Sequence, residues 1–213
     1  MDSYSHSNIL GTVISEGTEK SGLFKGSKWR IHENGIAVGE RSILWDDIEQ
    51  LFFSATSYSV NFINTGSSFS LTMVDYRGSE IKLTIDSSVF NRGKKSNEFS
   101  SIYNHILSHI FQRQWQKLIE SIKKGQRVSF KEFEISYDGI YCIKKRLFGT
   151  KYEKLEPKSI LGSTIRNGVY YIRFLNDKAK KMEFWIGPIK NIPNLHIAQE
   201  YFKKLNSTYL KKV

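Results

Sequence analysis

Ile31-His32-Glu33-Asn34-Gly35-Ile36 recurs about a hundred residues later as Ile135-Ser136-Tyr137-Asp138-Gly139-Ile140. That separation is the length of one small domain, so the repeat predicts two domains in tandem. A longer self-match runs without a gap from Ser70-Leu71-Thr72-Met73 through Ile81-Lys82-Leu83-Thr84-Ile85 onto Tyr171-Ile172-Arg173-Phe174 through Met182-Glu183-Phe184-Trp185-Ile186. Leu71, Met73, Ile81, Leu83 and Ile85 alternate with polar residues, as do Ile172, Phe174, Met182, Phe184 and Ile186. A period of two buries one face of a strand. The intervening Asp75-Tyr76-Arg77-Gly78 and Asn176-Asp177-Lys178 are turn formers, which predicts an antiparallel hairpin in each copy. A third block aligns Trp45-Asp46-Asp47-Ile48 with Tyr152-Glu153-Lys154-Leu155. On that alignment eight residues separate Ile36 from Trp45 and eleven separate Ile140 from Tyr152, so the second copy gains three residues around Lys144, Lys145 and Arg146.

Each copy closes on a helical pattern. In the first, Ser96 or Asn97 can cap a helix whose apolar positions Phe99, Ile102, Tyr103, Ile106, Ile110 and Phe111 recur at three and four residues, with Gly125 as the stop. A helix over about 97–124 would be about 40 Å long at ~1.5 Å per residue, more than one small domain covers. Its second half, with Trp115, Leu118, Ile119 and Ile122, is expected to bridge toward the second repeat. A shorter helix carries Leu195, Ile197, Ala198, Tyr201, Phe202 and Leu205. The expected fold class is mainly β with helices (α+β), with domains at 1–124 and 125–213.

Several short antiparallel strands followed by one amphipathic helix, with an aromatic-x-x-aliphatic block after the second strand, resemble the pleckstrin-homology-like (PH-like) superfold. More narrowly, Gly125-Gln126-Arg127-Val128-Ser129-Phe130-Lys131-Glu132-Phe133-Glu134-Ile135, then Gly139-Ile140, is similar to an uncharacterised bacterial-type family with paired domains of this kind. The resemblance implies two bent antiparallel sheets or partial barrels, each plugged by its carboxy-terminal helix. It implies no catalytic motif, because the superfold hosts many functions.

Charge is divided unevenly. Residues 1–120 hold twelve Lys+Arg against thirteen Asp+Glu, and residues 121–213 hold twenty against eight, so the net +11 belongs to the second copy. Hydrophobic content of 39% and aromatic content of 14% suffice for two modest cores. No stretch reaches the ~20 apolar residues of a membrane span. Met1-Asp2-Ser3-Tyr4-Ser5-His6 lacks a basic region followed by an apolar run, so a signal peptide is not expected and a cytoplasmic location is. Cys142 is the single cysteine, which excludes an internal disulfide and a cysteine-cluster zinc site.

The candidate binding residues are Lys144, Lys145 and Arg146 with Lys151, Lys154 and Lys158, and Arg173 on a neighbouring strand. Lysine and arginine hold phosphate or carboxylate as point charge and planar fork. A cationic hairpin therefore suits anionic phospholipid headgroups, in a protein peripheral to the inner membrane surface, or an acidic protein partner. Cations on an exposed strand also deter edge-to-edge aggregation without any ligand. Phosphoinositide-gripping PH domains use their first hairpin, whereas by strand count Lys144 lies in the second. Tyr170, Tyr171 and Trp185 interleaved with basic residues keep nucleic acid as a minority alternative.

Phe52 to Ser68, rich in Ser, Thr, Asn and aromatics, suits strand addition in the first copy. His105 and His109 are four apart, but the polar stripe they share with Gln112 and Gln116 places them toward water rather than on a metal. Phosphate-binding loops, dinucleotide turns and nucleophile elbows are all lacking. Asp46/Asp47 and Glu132/Glu134 read as solvated charges, and Cys142 as a buried thiol. No cofactor, metal or catalytic residue is expected; the chain reads as a non-enzymatic binding or scaffolding module.

Overall fold

The computed structural model describes residues 9–18, 27–60, 63–146 and 149–210, with the side chains at 59, 60, 63–65, 89, 145, 146, 149, 150, 206 and 208–210 set aside. It is mainly antiparallel β with two helices, and it divides into two compact units between Gln112 and Arg113. The formal charge is −2 before that division and +13 after it.

In the first unit β1 (Val13–Thr18), β2 (Lys28–His32), β3 (Gly35–Val38) and β4 (Arg41–Leu44) form one antiparallel sheet in chain order. After a 3-10 turn at Trp45–Asp47, β5 (Ile48–Val60), β6 (Ile63–Asp75) and β7 (Glu80–Ser88) form another. A 3-10 turn at Val89–Asn91 leads into α1 (Arg92–Lys123). Leu71, Met73, Leu83 and Ile85 bury one face against Phe99, Ile102, Ile106 and Ile110, so the two periodicities meet in one core. The helix begins four residues before Ser96, because Asn91 Oδ1 accepts a hydrogen bond from the Ser88 backbone N–H at 2.8 Å and seeds an earlier start. It ends at the predicted glycine. Gly125 is left-handed (φ 74°), its N–H donates to Ile122 O, and Gln126 N–H donates to Ser121 O, the paired closure that satisfies terminal carbonyls.

The second unit repeats the order. Strands β8 (Val128–Ser129), β9 (Phe133–Ser136), β10 (Gly139–Arg146) and β11 (Gly149–Leu155) form a four-stranded sheet. A 3-10 turn at Pro157–Ser159 leads to β12 (Ile160–Arg166), β13 (Val169–Leu175) and β14 (Lys181–Pro188), then to a turn at Ile189–Asn191 and α2 (Leu195–Leu210). Its core stacks Phe130 on Phe133, with Tyr170 and Phe202 within 6.4 Å between ring centroids. The last turns of α1 belong to this unit. Gln114 Oε1 lies 2.9 Å from His196 Nε2, and Lys204 sits over the Trp115 ring at 4.2 Å.

Contacts at two glycines register the copies. A Cβ at Gly35 would lie 2.3 Å from Ile43 O, and one at Gly139 would lie 2.8 Å from Leu155 O, so both positions exclude a side chain. Ile43 therefore corresponds to Leu155, and the turn at Trp45–Asp47 to that at Pro157–Ser159. This corrects the third sequence block: Tyr152 to Leu155 lie inside β11, and their aromatic-to-aliphatic spacing matches Trp45 to Ile48 by coincidence. The enlargement is also larger. Twelve positions run from Ile36 to Ile48 and twenty from Ile140 to Ile160, so the second copy gains eight residues, all in the β10–β11 hairpin. Conversely β5 and β6 have 13 residues each and β12 and β13 have 7 each. The segment from Phe52 to Ser68 is thus the long hairpin of the first unit. In the second unit the buried face opens at its outer end, where Phe174 is half-buried and Met182 is 45% exposed.

The turns between the last two strands share one design. Asp75 Oδ1 accepts from Arg77 and Ser79 N–H groups, and Asn176 Oδ1 accepts from those of Lys178 and Lys180. The left-handed position is Gly78 (φ 83°) in the first and Ala179 (φ 55°) in the second. A Cβ in that conformation costs about 1 kcal/mol, so Ala179→Gly should raise the melting temperature by a few degrees and Gly78→Ala should lower it, both read by calorimetry. His196 supplies a pH test. Burial lowers its pKa from 6.5 to about 4, so the unfolded chain binds the extra proton between those values. Stability is full above about pH 6.5 and falls by on the order of 3 kcal/mol toward pH 4. Denaturant titrations should show this acid limb in the native chain and its loss in His196→Gln.

Candidate functional site

The extended hairpin grows from the Tyr137-Asp138 turn. Directly opposed residues share a face: Ile140 with Leu155, Cys142 with Glu153, and Lys144 with Lys151. Alternation places Ile140, Cys142 and Lys144 in line on the face that Phe133 and Ile135 turn to the core. That face is apolar at the base of the hairpin and cationic where the strands outrun the core. The Cys142 thiol is fully buried, and burial pushes its pKa up to about 12, so it stays a protonated packing group.

The predicted basic residues do not form one set. Lys144 Nζ lies 2.5 Å from Glu153 Oε2 and 4.7 Å from the Phe184 ring centroid. Lys151 is exposed, across the ladder from Lys144. Lys154 is on the opposite face, bonded to Asp138 Oδ2 at 2.7 Å and stacked toward Tyr141. Lys158 lies in the 3-10 turn, 3.0 Å from Glu156. Arg173 is exposed on β13 opposite Glu183, and Arg166 pairs with that same Glu183. Lys145 and Arg146 belong to the β10 backbone, and their side chains lie outside the described residues. The hairpin is the third connection of its sheet, because the two-residue β8 adds a strand ahead of it.

Beside this hairpin lies a cleft of about 690 Å³. Ile143 and Lys144 of β10 form one wall, and Glu183, Phe184 and Trp185 of β14 form the other. At one end a Cβ at Gly187 would meet Glu132 Cγ at 3.6 Å, so the walls converge there. The size is that of a ligand site, and the lining mixes Ile143, Phe184, Trp185 and Pro188 with Glu132, Lys144, Glu183 and Asn191. Phe184 is buried, whereas Trp185 is 57% exposed. Of the aromatics weighed for base stacking, Tyr170 is a core residue and Tyr171 lies under Arg166.

A local kink opens the cleft. Lys131 is left-handed (φ 68°), Phe130 N–H donates to Phe133 O, and Glu132 N–H to Phe130 O, which turns the chain away from β10. The last bond from this side joins Ile143 N–H to Glu132 O at 3.2 Å. The sequence concealed this, since Phe133 and Ile135 alternate as any strand would. The positive φ at Lys131 has no glycine to announce it.

In the first unit His109 stacks on Trp45 at 5.1 Å and 14°, and His105 meets both rings edge-on. The pair is thus partly packed on an indole rather than simply solvated. Burial and the neighbouring His109 charge lower the His105 pKa. Among the described residues no group of three His, Cys, Asp or Glu side chains could hold a metal, and no helix is long and apolar enough to cross a membrane. No protein-family model matches the chain, and no curated protein matches it.

Asp138 accepts hydrogen bonds from Lys154 and from Tyr141 Oη, which hold its carboxyl well below the usual carboxylate range. Carboxyl-detected NMR titration should find Asp138 ionised at the acid end of the scan. Lys154→Met should raise it, with the Tyr141 hydrogen bond still holding it below an ordinary aspartate.

Proposed function

We propose that the chain is a non-enzymatic pair of PH-like units whose basic second unit docks an acidic protein segment, in a cytoplasmic setting. Four strands, three strands and a helix, in that order in both units, support the PH-like assignment. The observation that carries the docking reading is the adjoining of cleft and cations. Lys144, with Lys151 beside it, stands where a cleft lined by Phe184, Trp185, Glu132 and Glu183 meets the cationic hairpin. From Ile143 to Tyr152 the chain holds four Lys+Arg and no acid. Opposite charge steers a partner in, and the apolar walls supply contact area.

A flat anionic membrane surface is the less favoured occupant. Lys154 is on the opposite face of the ladder from Lys144, and Lys158 lies in the 3-10 turn beyond β11, so the basic residues are not gathered on one face in the way that favours polybasic membrane binding.

Binding of an acetylated hexapeptide alternating Glu and Val, followed by fluorescence anisotropy against its Lys/Val counterpart, tests this. The acidic peptide should bind at least about tenfold more tightly, lose that margin in Lys144→Glu/Lys151→Glu, and weaken as salt rises. Equal binding of both peptides, or sedimentation with phosphatidylserine vesicles but not phosphatidylcholine ones in the absence of peptide binding, would overturn it.

A further inference from the structure

Among the described residues, two strands beside the cleft have an edge with no neighbouring strand. β9 pairs with β10 only as far as Phe133 opposite Cys142, so among the described residues β10 from Lys144 onward has β11 on one side and no strand on the other. β14 is the last strand of its sheet, paired with β13 alone. The first unit has no counterpart to the outer half of β10, because β3 ends at Val38. There β2 runs beside the whole of β3, from His32 opposite Gly35 to Trp29 opposite Val38, and six-residue β1 covers β2 in turn. In the second unit the kink at Lys131 stops β9, β8 is two residues long, and β10 has meanwhile grown from four residues to eight. Among the described residues, β10 from Lys144 onward and the outer edge of β14 are thus left with unpaired main-chain donors and acceptors.

We infer that the acidic segment binds as an added β-strand, continuing the line of β9 beside the outer half of β10 and reaching toward the edge of β14. The inference rests on the docking reading above and specifies its mode. An unpaired strand edge is a template for an incoming extended chain, with main-chain hydrogen bonds giving affinity and alternate side chains giving selectivity. Lys144 sets the charge preference: its ammonium already spans from a carboxylate on β11 to the Phe184 ring on β14. An incoming carboxylate can exchange for Glu153 at this half-exposed ammonium. Side chains on the other face of the added strand meet Ile143 and the exposed Trp185. The partner is therefore an extended polypeptide in which acidic and apolar residues alternate, not a helix and not a charged surface.

Scanning N-methylation of the Glu/Val hexapeptide against the whole chain tests the mode with the protein unchanged. A strand uses alternate N–H groups, so methylation should weaken binding about tenfold or more at every second position and leave the intervening ones within about twofold. Hydrogen exchange should slow at the backbone of residues 144–146 and 181–185, and Trp185→Ala should weaken the peptide while leaving the acidic preference. Uniform tolerance of N-methylation with the Glu-over-Lys preference intact would overturn strand addition and leave acidic docking standing. Loss of the preference itself would overturn both.

Discussion

At Gly35 and Gly139 the backbone of one strand presses on the carbonyl of the next, Ile43 in one unit and Leu155 in the other, too closely for any side chain. Both contacts lie beside a buried cross-strand pair, Ile31 with Ile36 and Ile135 with Ile140. The close approach and the isoleucine pair fix the register of each first sheet and which face enters its core. The strand lengths around them vary. The first unit spends its extra residues on β5 and β6, the second on β10 and β11.

Lengthening a strand past its core has a predictable chemical result. Residues that would have faced the interior face solvent instead, and the apolar line of Ile140 and Cys142 passes into Lys144. Its neighbour across the ladder is Lys151, a like-charge opposition that is unfavourable in itself and is relieved by the diagonal Glu153. Such an arrangement holds together while remaining receptive to further negative charge. The exposed ion pairs add little stability individually, which suits groups that exchange partners.

The fold was legible where residues obey a period. Alternation in Leu71 to Ile85, the glycines after both tight turns, and the Gly125 stop all carry a local physical cause that sequence displays. The α1 start at Arg92 was not, because the Asn91 side chain that seeds it is an ordinary loop residue until its bond to Ser88 is seen. The eight-residue enlargement was read as three because Tyr152 and Leu155 imitate the spacing of Trp45 and Ile48. The basic cluster was visible as composition, but its division between two faces depends on register. Nothing in the sequence announces the cleft, which exists because Lys131 adopts a conformation that glycine or asparagine usually marks.

The division of the chain inside α1 bears on synthesis. Leu118 and Ile122, buried residues of the second unit, emerge from the ribosome as the tail of the first unit's helix, ahead of every strand they serve. Elongation of a helix takes nanoseconds per residue once it is nucleated, whereas a hairpin needs microseconds. The helix that packs the first core with Phe99 to Ile110 runs on through Gln114 and Leu118, which belong to the second unit. Two repeats that look like independent modules thus share one continuous helix, and part of the second core is synthesised before any of its strands.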